Sequence, residues 1–330
     1  MSGGVRNRQR RSVRQTGLVV SLAKMIALAG WLVAVLITPG MSSAQSHQIE
    51  IGQSRKIGKI DAAVIDESSG LTPSYQYPGC YWTHNDNGKY PGLFLINGQG
   101  ELLATAQLEG IPFRDWEDMG SFQYQQRNYV LIGDVGDNAS QYSSGRIYLF
   151  EEPTVDLAAK GEDSVRIPTA DVTEIEFTYP RGACDCEAVL VDSERQKIFL
   201  VSKSMDGQAV SDLSVFHSLP LEMKSRRRVK ATRMKSPFNR HMVTGAQISP
   251  DGKLAVLRSY TAAWIFHRSP EKTWEQVFSH GQPEKRLLLP VQRQGEAICF
   301  SHDSRSLLLT SEGVGQDIWE IDLNLPQKDR

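Results

Sequence analysis

A five-fold recurrence of short strand patterns constrains this 330-residue chain more than any other feature. After residue 45 the sequence has no long 3.6-residue periodicity. It runs instead in short apolar or alternating segments rich in Val, Ile, Leu, Tyr and Phe, broken by Gly, Pro, Asn and Asp, which is the pattern of an all-β protein. The segments group into units of about 50–70 residues, and a repeat of that period points to a radial or stacked architecture.

Each unit opens on a polar or acidic start to a first strand: "DESSGL" (66–71), "DWEDMGSF" (115–122), "DCEAVLVD" (185–192), "VTGAQISPDG" (243–252) and "GEAICFSHD" (295–303). A second apolar strand follows in "GCYWTHND", "NYVLIGDV", "KIFLVSKS", "KLAVLRSY" and "SLLLTSEG", and a third in "GLFLING", "RIYLFEE", "LSVFHSL", "AAWIFHR" and "DIWEIDL". The first four units supply a fourth strand in "LLATAQL", "VTEIEFTY", "RVKATRM" and "RLLLPV". The fifth has none, but a spare strand lies at the other end of the chain, in "QIEIGQSRKIGKI" (48–60). A closed ring of four-stranded sheets uses that strand to complete its last sheet, so the expected fold is a five-bladed β-propeller. A β-sandwich is the competing fold, and it explains neither the surplus strand nor the missing one.

The ring occupies residues 45–330 as one domain. Residues 1–44 read as a targeting segment: five arginines between Arg6 and Arg14, an apolar stretch "MIALAGWLVAVLITPG", and small residues Ser42 and Ala44 at a cleavage position. The alternative is an uncleaved anchor over residues 17–39, where Lys24 is the only charge. Either way the expected location is outside the cytoplasm, periplasmic or extracellular. Residues 1–44 hold six positive charges and no negative ones, so the formal balance falls from −1 to about −7 without them. An acidic domain argues against nucleic acid as a partner. The expected state is a monomer, touching a membrane only through the leader. In such a compartment Cys80, Cys184, Cys186 and Cys299 are expected to form disulfides, since "CDC" lacks zinc-site spacing.

Within a blade the strands alternate direction, so first-strand starts and second-strand ends share one face of the disc. One mouth of the channel therefore collects Glu67, Asp115, Glu117, Asp185, Glu187, Thr244 and Glu296 from the first strands. The second strands bring His84, Asp86, Asn87, Asp134, Asp137, Asn138, Lys203, Arg258, Tyr260 and Glu312. Two carboxylates about 4 Å apart repel by ~1 kcal/mol in water and ~4 kcal/mol near a protein surface. A bound cation relieves that repulsion. With oxygen donors and no thiolate, the fitting ion is hard: calcium first, magnesium second. Taken alone, "NDNG" is also a good hairpin turn.

At "ESSGL", "DWEDMG", "GDVGDN", "CEAVLV" and "GEAICF" the chain resembles secreted calcium-binding β-propellers, a group including apyrases, propeller phytases and lactonases. It looks most like the bacterial SdiA-regulated or esterase-like phytase proteins. The resemblance implies a calcium ion held by Glu67, Glu117, Glu187 and Glu296, supported by Asp134 and Asn138. The fourth blade departs from it, with Thr244 and Gly245 where an acid is expected. No Gly-x-Ser-x-Gly elbow, P-loop, His-Glu-x-x-His or dinucleotide fingerprint occurs. A metal-assisted hydrolase of a phosphoester or lactone is compatible with what remains. His84 or Asp115 would act as base, with Asp86, Lys203 and Arg258 holding a small anionic or lactone-type ligand. The alternative is a non-catalytic binding propeller with a structural cation. Finally, "KSRRRVKATRMK" (224–235) carries seven basic side chains in twelve, and is expected to form the charged outer edge of the third blade.

Overall fold

In a computed structural model, the protein is described over residues 49–86, 90–159, 161–203, 214–223, 227–238 and 242–325. Residues 1–44, read above as a targeting segment, and Asn87 lie outside the described residues. Within them, five sheets follow the five units. Blade 1 is Ser68–Pro73, Cys80–Asn85, Gly92–Asn97 and Leu102–Leu108. Blade 2 is Trp116–Tyr124, Arg127–Asp134, Ser144–Glu151 and Thr173–Thr178. Blade 3 is Cys186–Asp192, Lys197–Ser202, Phe216–Pro220 and the short Thr232–Arg233. Blade 4 is Val243–Ile248, Leu254–Ser259, Ala262–His267 and Lys285–Leu288. Blade 5 is Ile298–Phe300, Ser306–Leu309 and Asp317–Asn324, closed by the N-terminal strand Glu50–Lys59. That closing strand runs antiparallel to Asp317–Asn324, with Arg55 paired to both Glu320 and Asp322.

Alternation along each strand is what makes the ring. In "KIFLVS", Phe199 and Val201 pack toward blade 4, while Ile198 and Leu200 pack toward blade 2. Every blade is thus apolar on both faces, which is why its strands read as continuous hydrophobic runs. Five buried clusters fill the five junctions between neighbouring blades, the last joining blade 5 to blade 1 through Cys299, Leu308, Phe94 and Ile96. Trp82 and Trp116 are fully buried at the first junction. Burial of each large apolar side chain contributes about 1.5–3 kcal/mol.

Two expectations are corrected. The basic run does not form one outer strand of blade 3. Arg227–Lys230 joins blade 2 as a fifth strand, parallel to Thr173–Thr178, and among the described residues of the run only Thr232–Arg233 pairs within blade 3. Ala231 between them is buried at the junction of the two blades, so the run is a bridge pinned at its middle. A second parallel addition, Asp163–Ile167, covers the edge of blade 1. The cysteines, in turn, form no disulfide. Cys80 lies in the blade 1–2 junction, Cys299 in the blade 5–1 junction, and Cys184 and Cys186 in the blade 2–3 junction. All four are buried, where they fill space as small hydrophobes.

The innermost strands surround an axis that is filled rather than hollow. Gln247 of blade 4 donates to Thr72 Oγ1 of blade 1 at 2.8 Å and accepts from the Phe300 amide of blade 5 at 2.7 Å. Thr72 meets Ser121 of blade 2 at 2.8 Å. Above this layer lies Asp118, whose carboxylate accepts the amides of Met119 (2.8 Å), Val189 (2.8 Å) and Ala246 (3.1 Å), joining blades 2, 3 and 4.

Candidate functional site

The mouth owes its shape to a repeated irregularity. In blade 2, Trp116 faces Asp134 and Asp118 faces Gly133, leaving Glu117 as an extra residue. In blade 3 the extra residue is Glu187, between Cys186 and Ala188, and in blade 4 it is Thr244. In blade 1, Ser69 and Gly70 together oppose His84. A bulge of this kind re-aims a side chain that pleating would send elsewhere. Here it turns Glu117 and Glu187 toward the axis, and the same register places Ser69, not Glu67, at the corresponding point of blade 1. Ser69 donates to the Glu117 carbonyl and lies 3.4 Å from Glu296 Oε2.

A recess of about 380 Å³ opens over these bulges. Glu117, Glu187 and Glu296 form its floor, all three buried, with ligand oxygens within 4.8 Å of one another. Glu296 also belongs to a second triad of the same spread with Asp86 and Glu312. Glu67, Asp115, Asn138, Gln294, Lys203 and Tyr260 complete its wall. Among the described residues the recess thus gathers seven carboxyl groups and one ammonium. Lys203 Nζ lies 2.7 Å from Glu187 Oε1 and 5.7 Å from the centre of the Tyr260 ring. Tyr260 donates its hydroxyl to Glu296 Oε1 at 3.2 Å.

Crowding and burial push five of these acids, Glu117, Glu187, Asp115, Asp86 and Glu312, toward the protonated form. Burial, then the negative neighbours Glu187 and Asp115, raise Glu117 well above the usual carboxylate range. Burial likewise raises Glu187, opposed by the Lys203 ammonium. Asp115 is pushed up to about 6 by burial and Asp185. Asp86 is pushed up to about 7 by burial and its contact with Glu67. Glu312 reaches about 10 through burial and its bond to Glu296. The donor set fits a hard cation. Oxygens on one calcium ion, at 2.3–2.6 Å from it, lie at most about 5 Å apart, and the floor triad falls inside that span.

The other sequence candidates take supporting places. Asp134 is fully buried and does not line the recess; it accepts the amides of Asp115 (2.8 Å) and Arg114 (3.3 Å) from behind. Asp137 accepts the amides of Gln141 (2.8 Å) and Tyr142 (2.6 Å), bracing the loop that presents Asn138. A Cβ at Gly136 would collide with Glu117 Oε1 and the Asp115 carboxyl group, so any larger residue there would displace those two acids. His84 and Arg258 are taken away from the recess. His84 is buried at the blade 1–2 junction, edge-on to Trp116 at 5.8 Å, its Nδ1 paired with the Asn85 carbonyl, and burial lowers it to about 4. The register explains this, because His84 opposes the blade 1 bulge and points into the junction instead of the mouth. Arg258, also fully buried, donates to the carbonyls of Ala297 (2.6 Å) and Thr310 (3.3 Å) and to Gln292 Oε1 (3.0 Å), holding the segment that carries Glu296. Sequence reasoning missed Gln294 and Asp118. The adjoining acids of "DWED" were a signal for Asp118, but assigning it to the hub needs the bulge at Glu117.

No family model matches the chain, and no curated protein matches it. Among solved structures it is similar to the Dos1 propeller, at 13% identity over 76% of this chain and 67% of that one, with a TM-score of 0.35. It is also similar to a gluconolactonase from Xanthomonas campestris, at 12% identity over 85% of this chain and 92% of that one, with a TM-score of 0.42. Both likenesses concern the β-propeller fold alone.

Proposed function

We propose that the hub binds a divalent cation, calcium before magnesium, on Glu117, Glu187 and Glu296, and that the recess above it hydrolyses a phosphoester or lactone. The observation that carries this reading is the floor triad: three buried glutamates from three blades within one ion's reach. A scaffold with a purely structural ion has no need of a recess, whereas about 380 Å³ is the size of a small-ligand site. A bound calcium supplies polarisation of a phosphoryl or carbonyl oxygen. Asp115, half-buried on the wall, holds or accepts a proton, and Asp86 with Glu312 orients polar groups of the substrate. The leader supports export of the domain to the periplasm or medium.

The test is a panel of chromogenic phosphate, lactone and ester substrates, with calcium and with chelator. The expected result is turnover that disappears with chelator and with Glu117→Gln, while both proteins stay folded. A calcium-raised melting temperature without turnover of any substrate would establish the binding scaffold instead. Saturation at a hundred times Kd stabilises by about 2.7 kcal/mol, so absence of any rise overturns the reading altogether.

Binding is also expected to depend on pH. Asp115, Asp86 and Glu312 are raised to about 6, 7 and 10, so the folded metal-free protein holds protons that the unfolded chain has lost. Its stability therefore falls as pH rises from the ordinary carboxylate range through those values. A cation displaces the protons, so affinity increases from pH 6 to 9 and binding releases protons. Calorimetry in two buffers of different ionisation enthalpy measures that release. Equal heats in both buffers would contradict it.

A further inference from the structure

We infer that Lys203 is a tethered counter-ion occupying the cation site, and that a divalent ion loads by displacing its ammonium from Glu187. This rests on the cation-binding reading above. Lys203 Nζ lies 2.7 Å from Glu187 Oε1, with 12% of the lysine side chain and 2% of the glutamate side chain exposed. Glu187 is one of the three floor donors. An ammonium on that oxygen and a dication on the same triad repel across a few ångströms of protein, which favours release of the ammonium as the dication binds. Tyr260 is built for the exchange: its ring faces the ammonium at 5.7 Å, and its hydroxyl is held by Glu296. The Lys203 amide donates to the Asp185 carbonyl at 3.0 Å, so the backbone is fixed while the side chain swings. Without metal, the lysine cancels one charge in a cluster that would otherwise repel itself. With metal, the freed ammonium stands at the recess wall, where an anionic group of a ligand would meet it.

Calcium titration of the wild-type protein, Lys203→Gln and Lys203→Arg separates the two ideas. The neutral variant keeps an N–H donor for Glu187 and is expected to bind calcium about tenfold tighter or more. The arginine variant keeps the charge and is expected to bind within a few-fold of wild type. Wild type that binds calcium, with Lys203→Gln binding equally or more weakly, overturns the counter-ion role and leaves the site standing. No calcium binding by any of the three overturns the site itself. A second measurement needs no variant: amine-reactive labelling of the wild-type chain, read by peptide mass spectrometry. Labelling of Lys203 is expected to rise on addition of calcium; labelling that stays constant or falls refutes displacement.

Discussion

Replacing Asp118 with alanine is expected to lower the unfolding free energy by about 3–5 kcal/mol, because three buried amides lose their acceptor at once. Those amides belong to Met119, Val189 and Ala246, so the loss falls on the convergence of blades 2, 3 and 4. Burial pushes the carboxyl well up and the amide donors pull it down. Asp118→Asn separates the contributions. Its carbonyl can replace Oδ2, which serves Val189 and Ala246, while its NH2 group faces the Met119 amide; an intermediate loss is expected. For a domain of this size the alanine change corresponds to a fall in Tm on the order of 10 °C. Calorimetry reads it directly, and a shift under 2 °C would show that the hub carboxylate does not staple the blades.

Glu296→Gln is expected to have opposite effects with and without calcium. Glu296 is shared by both carboxyl triads and takes the Tyr260 hydroxyl. In the metal-free protein the change removes a negative charge from a crowded, buried group, so the melting temperature should rise. Calcium affinity should fall by about a hundredfold or more, since a bound dication loses a full charge at contact distance. Glu67→Gln is the companion, because Glu67 reaches the recess from the loop before the first strand and is outside both triads. Its effect on affinity should be several-fold smaller. A metal-free destabilisation by Glu296→Gln, with calcium affinity unchanged, would place the ion elsewhere or remove it.

The five units and the closing strand at residues 48–60 were legible because alternation and turn residues act over short distances. Strand direction alone put Glu117, Glu187 and Glu296 on one face of the disc; the bulges then turned the first two toward the axis. His84 and Arg258 were misplaced for a definite reason. Position at a strand end says which face of the disc a residue approaches, but not whether its side chain enters the axis or the junction beside it. A one-residue bulge reverses that choice, and bulges leave almost no mark in a single sequence. The same applies to the basic run at 224–235, where the pattern showed a strand but not which blade would take it.

The order of the strands and the closure of the ring were written into the chain itself, since each depends on local periodicity and on a surplus strand meeting a vacant edge. Which acids face one another was decided only by the tertiary structure. Register shifts in the inner strands, the Asp118 amide contacts and the reach of Lys203 to Glu187 join positions far apart in sequence. Their geometry is fixed by how neighbouring blades pack, and no local pattern carries that information.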